Sequence, residues 1–131
     1  MNEKEKVMLD HVSIGVSDPG RSKRFYDAAL KPLGYACLSE GTDSLGYGRD
    51  HVQFWINRAE RPITPDPASG LHFCFAASSR ENVDAFHAAA LKVGGKDNGR
   101  PGLRKAYGDN YYAAFAIDPD GYRLEAYCGA A

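Results

Sequence analysis

The chain repeats itself at an offset of 61 residues, without a gap. The matches are His11/His72, Ser17/Ser78, Phe25/Phe86, Ala28/Ala89, Ala29/Ala90, Leu30/Leu91, Lys31/Lys92 and Gly34/Gly95. A repeat of this length is one supersecondary unit used twice, so the fold has to be assembled from two similar modules. Each copy opens on a histidine. Two such units packed about a local twofold axis are expected to bring the two imidazoles toward one another.

The 131 residues suit one domain made of two modules. Each half reads as β-α-β-β-β. In the first, residues 9–16 alternate as a strand, with Val12, Ile14 and Val16 on one face. Asp18-Pro19 then reads as an N-cap followed by proline at the first helical position, and the helix ends near Gly34. Strands follow at residues 35–39, 44–48 and 51–57. The second half has a strand at 71–77, and Ser78-x-x-Glu81 reads as a capping box for the second helix. A short segment at 96–98, a loop at 99–109, a strand at 111–117, an Asp118-Pro119-Asp120-Gly121 turn and a strand at 122–128 complete it. The modules span about 8–59 and 71–128, joined by a proline-rich linker at 60–70. Residues 1–7 read as a frayed tail, charged and without the apolar core of a secretory signal.

A net charge of −1 argues against a nucleic-acid partner, and no apolar run is long enough to cross a bilayer. Cys37, Cys74 and Cys128 form no CxxC pair, so neither a disulfide framework nor a zinc knuckle is indicated. The expected compartment is the reducing cytoplasm.

Three residues are candidates for holding a metal: His11, His72 and Glu125. The histidines take the same place in each opening strand, and Glu125 lies in the last strand, where Arg123, Glu125 and Tyr127 share a face. Two imidazoles and one carboxylate are a usual set for a divalent metal that keeps open positions for substrate or water. Gln53, Trp55 and Asn57 share a face of their strand and are candidate substrate contacts, Trp55 as a flat apolar wall. The basic and phenolic loop contributes Tyr107 as a further substrate contact. Arg104 is a candidate clamp for an anionic group, and Tyr111 or Tyr112 a candidate proton donor. Cys74 alternates with His72 on one face, where it could line the cleft, and reads as a buried, inert thiol.

Several segments together resemble the vicinal oxygen chelate superfamily, which includes glyoxalase I, bleomycin-resistance proteins, fosfomycin-resistance proteins and extradiol dioxygenases. They are Leu9-Asp10-His11-Val12, Phe25-Tyr26, Leu33-Gly34-Tyr35, Leu71-His72-Phe73 and Asp118-Pro119-Asp120-Gly121-Tyr122-Arg123-Leu124-Glu125. The resemblance covers about residues 8–128. It implies an α+β fold in which two βαβββ modules form a half-open barrel around a cleft, with metal ligands on the first and last strands. On that pattern His11, His72 and Glu125 occupy three of four ligand positions. The fourth departs: residues 50–56 match 120–126, which sets Trp55 opposite Glu125, and an indole cannot bind a metal. The resemblance thus implies a metal-dependent lyase or dioxygenase acting on a small oxygenated substrate chelated by Zn, Fe, Mn, Ni or Co. The alternative it implies is a metal-free, bleomycin-resistance-like binder of a planar molecule. Relatives of this kind build their sites as homodimers, which is the expected state.

Overall fold

The computed structural model describes residues 7–131. Of the expected tail only Val7 falls within it, half-exposed; residues 1–6 lie outside the described residues. Two four-stranded mixed sheets and two helices give an α+β fold of two modules. Module one comprises β1 (Val12–Val16), α1 (Pro19–Leu30), β2 (Ala36–Glu40), β3 (Ser44–Gly48) and β4 (Val52–Arg58). Module two comprises β5 (Phe73–Ala76), α2 (Arg80–Lys92), β6 (Lys96–Leu103), β7 (Tyr112–Ile117) and β8 (Arg123–Cys128). The sheet orders are β1-β4-β3-β2 and β5-β8-β7-β6, so the first and last strands of each module lie side by side. Both of those pairs are parallel. Among the described residues no helix is long and apolar enough to cross a membrane.

Local chemistry explains the helix ends. Asp18 caps α1 by accepting from Arg21 N at 3.2 Å, and Pro19 begins the helix. The chain leaves through Gly34 at φ 87°, a backbone conformation that glycine adopts without steric cost. At α2 the cap differs from expectation. Ser79, not Ser78, accepts from Asn82 N at 3.1 Å, while Ser78 accepts from the Asn82 side chain. The segment expected as a loop at 99–109 is also shorter than the sequence suggests. Strand β6 runs on to Leu103, with its register broken between Asp97 and Gly99 and between Gly99 and Gly102. As an edge strand it accommodates Gly99, Pro101 and Gly102, which a central strand would not.

The two modules share one core. Phe25, Tyr26, Ala29 and Leu30 of α1 and Val83, Phe86 and Ala90 of α2 are all buried against the helix-facing sides of both sheets. Phe54 bridges the modules, with its ring 5.4 Å from Tyr26, 5.7 Å from Phe73 and 5.4 Å from Phe75. The Asp-Pro-Asp-Gly turn docks on α1. Asp118 accepts from the Tyr26 hydroxyl and from the N–H groups of Asp120 and Tyr122, and Arg21 pairs with Asp120 at 2.6 Å. Two more hydroxyls cross the seam: Tyr122 donates to the Gly15 carbonyl at 2.8 Å and Tyr35 to the Ala76 carbonyl at 2.7 Å.

Candidate functional site

The helices cover one face of each sheet, and the site residues lie on the other. In β8, Leu124, Ala126 and Cys128 point into the core, so Arg123, Glu125 and Tyr127 face away from it. The strand pairing equates Trp55 with Glu125. Ser13 pairs with Trp55 in module one and Cys74 with Glu125 in module two, and Ser13 and Cys74 are one repeat apart. On the next strand Trp55 neighbours Gly46, and Glu125 neighbours Phe115. Large and small side chains have therefore changed places between the modules. The indole lies over Gly46, whose absent Cβ would stand 2.8 Å from Trp55 Cζ3.

Glu125 is buried, only 3% exposed, and is held from two sides. His72 Nε2 stands 3.0 Å from Oε1, and the Tyr111 hydroxyl donates to Oε2 at 2.5 Å. Where the two groups hydrogen-bond, His72 Nε2 donates and the carboxylate accepts; a metal at this site would take the place of that proton. Burial first, and then the Glu125 hydrogen bond and charge, push the Tyr111 phenol above its ordinary value. Tyr111 is therefore a fixed, neutral donor. Its ring packs 4.2 Å from Tyr127 and 5.3 Å from Tyr107. The neighbouring Cys74, expected to be buried, is instead exposed at a cavity wall; desolvation by its neighbours and then the Glu125 charge push its thiol up to about 12, which keeps it protonated.

Two cavities of similar size meet at His72. One, about 440 Å³, is lined by His72, Asn98, Tyr107, Tyr111, Phe115, Arg123 and Glu125 among others. The other, about 430 Å³, runs between the β1 and β5 edges and takes in His11, Gln53, His72 and Cys74. His11 and His72 both line this second cavity. The Tyr122–Gly15 bond sets the end of β1 beside the start of β5, so the two strands run in opposite directions. Within one chain His11 consequently stands apart from His72 and Glu125, and its Nδ1 lies 2.9 Å from Asp10. Both imidazoles thus line one cavity, but among the described residues they do not form a three-donor cluster with Glu125.

The remaining candidates separate cleanly. Tyr107 and Tyr111 reach the Glu125 cavity. Tyr112 faces the other way, donating to Asp84 of α2 at 2.6 Å under the Arg80 guanidinium. Arg104 lies over the Phe115 ring and donates to the Arg100 carbonyl at 2.7 Å. Gln53 lines the inter-edge cavity, whereas Asn57 accepts from Ser44 at 2.7 Å and, like Trp55, lines neither cavity. Arg123, Asn98 and Phe115 were not singled out by the sequence as site residues. The β8 alternation already put Arg123 on the face of Glu125.

The fit to a metal can be judged from the donors. Bonds of about 2.1 Å at right angles set two ligand atoms about 3.0 Å apart, which matches His72 Nε2 and Glu125 Oε1. Among the described residues no third His, Cys, Asp or Glu joins them, so one chain brings two donors. A divalent ion with open positions takes about three from protein.

Comparison with known proteins agrees with this architecture. The YqjT protein of Bacillus subtilis (strain 168) is 30% identical over 122 residues, 89% of this chain and 95% of its own. A glyoxalase/bleomycin resistance protein from Albidiferax ferrireducens T118 superposes with a TM-score of 0.82 at 37% identity, covering 92% of this chain and 98% of that one. A glyoxalase-related enzyme from Fulvimarina pelagi shares the fold, with a TM-score of 0.71 at 16% identity over 92% of this chain and 86% of its own. The model of the Glyoxalase/Bleomycin resistance protein/Dioxygenase superfamily matches residues 8–126, and with its paired βαβββ modules and open sheet faces the chain belongs to that superfamily.

Proposed function

We propose that the protein acts on a small oxygenated molecule bound over His72 and Glu125, as a metal-dependent enzyme whose site is completed in a homodimer. The observation that supports this most directly is the 3.0 Å approach of His72 Nε2 to Glu125 Oε1, a nitrogen and an oxygen poised as neighbouring ligands. His11 of a second copy would be the third donor, since His11 of the same chain stands apart. A bound Zn, Fe, Mn, Ni or Co ion supplies polarisation of paired substrate oxygens. The chain's own residues do the rest. Tyr111 holds Glu125 in place with its single O–H, and to donate to an oxygen that gains charge it would exchange that bond for one to the substrate. Trp55 is a planar wall on the open face of module one. The unpaired thiols Cys37, Cys74 and Cys128 suit a cytoplasmic home.

Elemental analysis of untagged protein, paired with light scattering, tests this reading. The expected result is a dimer with close to one metal per chain, and loss of metal in both His11→Ala and His72→Ala. Less than about a tenth of a metal per chain, with no rebinding, would sink it.

One observation favours a second reading. Both Glu125 oxygens already have partners within the chain, and Trp55 fills the position equivalent to Glu125. A metal-free binder of a planar molecule would use the same cleft. Its ligand affinity would then survive His11→Ala and His72→Ala unchanged.

A further inference from the structure

We infer that Arg123 is the residue that fixes the substrate, and that the Glu125 cavity takes a planar aromatic carboxylate. The inference rests on reading this cleft as a small-molecule site. Glu125 is engaged by His72 and Tyr111. Arg104 is engaged by Phe115 and the Arg100 carbonyl. Arg123 lines the same cavity, yet among the described residues its guanidinium has no carboxylate and no hydrogen-bond acceptor. A half-buried cation facing a cavity without a partner is the natural seat for an anion. A guanidinium holds a carboxylate through two parallel N–H bonds, which fixes orientation as well as position.

The walls specify the remainder of the molecule. Phe115 pairs with Glu125 across the β7–β8 ladder and Ile117 with Arg123, so an apolar strip lies beside the two charged residues. Tyr107 and Tyr111 add two aromatic rings to the lining, 5.3 Å apart. Arg123 and Glu125 are two strand positions apart on one face, about 7 Å. That gap admits one ring between a carboxylate on Arg123 and a reacting oxygen at His72. The cavity volume of about 440 Å³ is within the range of small-ligand sites. Flat aromatic surfaces select a planar body over a branched one. The negative Glu125 at one end and the cation at the other orient a monoanion along the cleft and disfavour the reverse pose.

Calorimetric titration of the full chain with benzoate, benzamide and inorganic phosphate tests the inference. Benzoate and benzamide share shape and differ in charge; phosphate shares charge and lacks the ring. Wild type is expected to bind benzoate more tightly than either of the other two. Arg123→Gln is expected to weaken benzoate by about tenfold or more while leaving benzamide unchanged, and Arg123→Lys to recover part of the loss. Equal affinity of wild type for benzoate and benzamide, equal affinity for phosphate, no benzoate binding, or benzoate binding untouched by Arg123→Gln would each overturn it. Should circular dichroism show Arg123→Gln unfolded, the wild-type comparison and Arg123→Lys still decide the matter. Metal content of the same samples separates the two readings. Metal retained without Arg123-dependent binding removes this inference alone. Arg123-dependent binding without metal removes the metal-dependent reading alone.

Discussion

The Tyr26 hydroxyl donates to the Asp118 carboxylate across 92 residues of chain, joining α1 of module one to the β7–β8 turn of module two. Both side chains are buried, and Asp118 also accepts two backbone N–H groups. The Asp-Pro-Asp-Gly motif is therefore a structural joint between modules as well as a turn. Asp118→Ala strands a buried hydroxyl and two N–H groups and is expected to cost about 3 kcal/mol. Tyr26→Phe leaves the carboxylate its backbone partners and should cost about 1 kcal/mol. Urea denaturation of both single variants and the double variant checks this. Coupling below about 0.5 kcal/mol would show that the two groups act independently.

Tyr111→Phe removes one of the two side-chain partners of Glu125 without opening a cavity. The stability change is expected to be small, about 1 kcal/mol. The functional change is expected to be larger, because Glu125 loses its fixed orientation. Activity or ligand binding measured beside thermal melting separates the effects; equal losses in both would show Tyr111 to be a packing residue only.

Cys74 is expected to resist alkylation. With its thiol pushed up to about 12, the thiolate is scarce at pH 8, and iodoacetamide should label it roughly a hundredfold more slowly than an ordinary cysteine. Glu125→Gln removes the neighbouring charge and should speed labelling, though desolvation by the surrounding side chains, the larger cause, persists. Peptide mapping after timed alkylation measures both rates. Labelling of wild-type Cys74 at an ordinary rate contradicts the assignment.

Asp97 gives stability a sensitivity to acid. The Gly99 N–H first, and then His87, hold its carboxyl below the usual value of 3.8. A carboxyl lowered in the folded state stabilises fully above its unfolded value, and the contribution is lost as pH falls through the folded one. The affected window is therefore at and below pH 3.8. In denaturation series at successive pH values, Asp97→Asn should flatten the acid limb and leave its shape near pH 7 unchanged. An identical acid limb in the variant would assign that loss to other carboxylates.

Gly46 is needed for the indole to lie flat. A Cβ there would stand 2.8 Å from Trp55 and from Val52, so Gly46→Ala is expected to cost about 2 kcal/mol and to displace the ring. Trp55 is the single tryptophan of the chain, so its emission reports the displacement directly. Unchanged emission with unchanged stability would contradict the packing described.

The sequence carried the architecture because periodicity and repetition are local signals. Both βαβββ units, Asp18 as a cap and the equivalence of Trp55 with Glu125 could all be read in one dimension. Strand β6 could not, because its glycines and proline announce a loop and only its edge position allows pairing. Adjacent tyrosines in the loop could not be ranked either. The phase of β7 decides that Tyr111 turns to Glu125 and Tyr112 to Asp84. His72 and Glu125 meet because β5 and β8 are parallel neighbours in one module. The place of His11 depends on how whole modules pack, and strand patterning does not encode that.

The bonds from Tyr122 to Gly15 and from Tyr35 to Ala76 have a protective consequence. β1 and β5 are edge strands, and a bare edge is a template on which foreign strands polymerise. Each of these edges has a carbonyl at the same repeat position occupied by a phenol of the other module. The halves thus act as each other's guard against amyloid-like growth, and a single half expressed alone would lose that guard along with its share of the core.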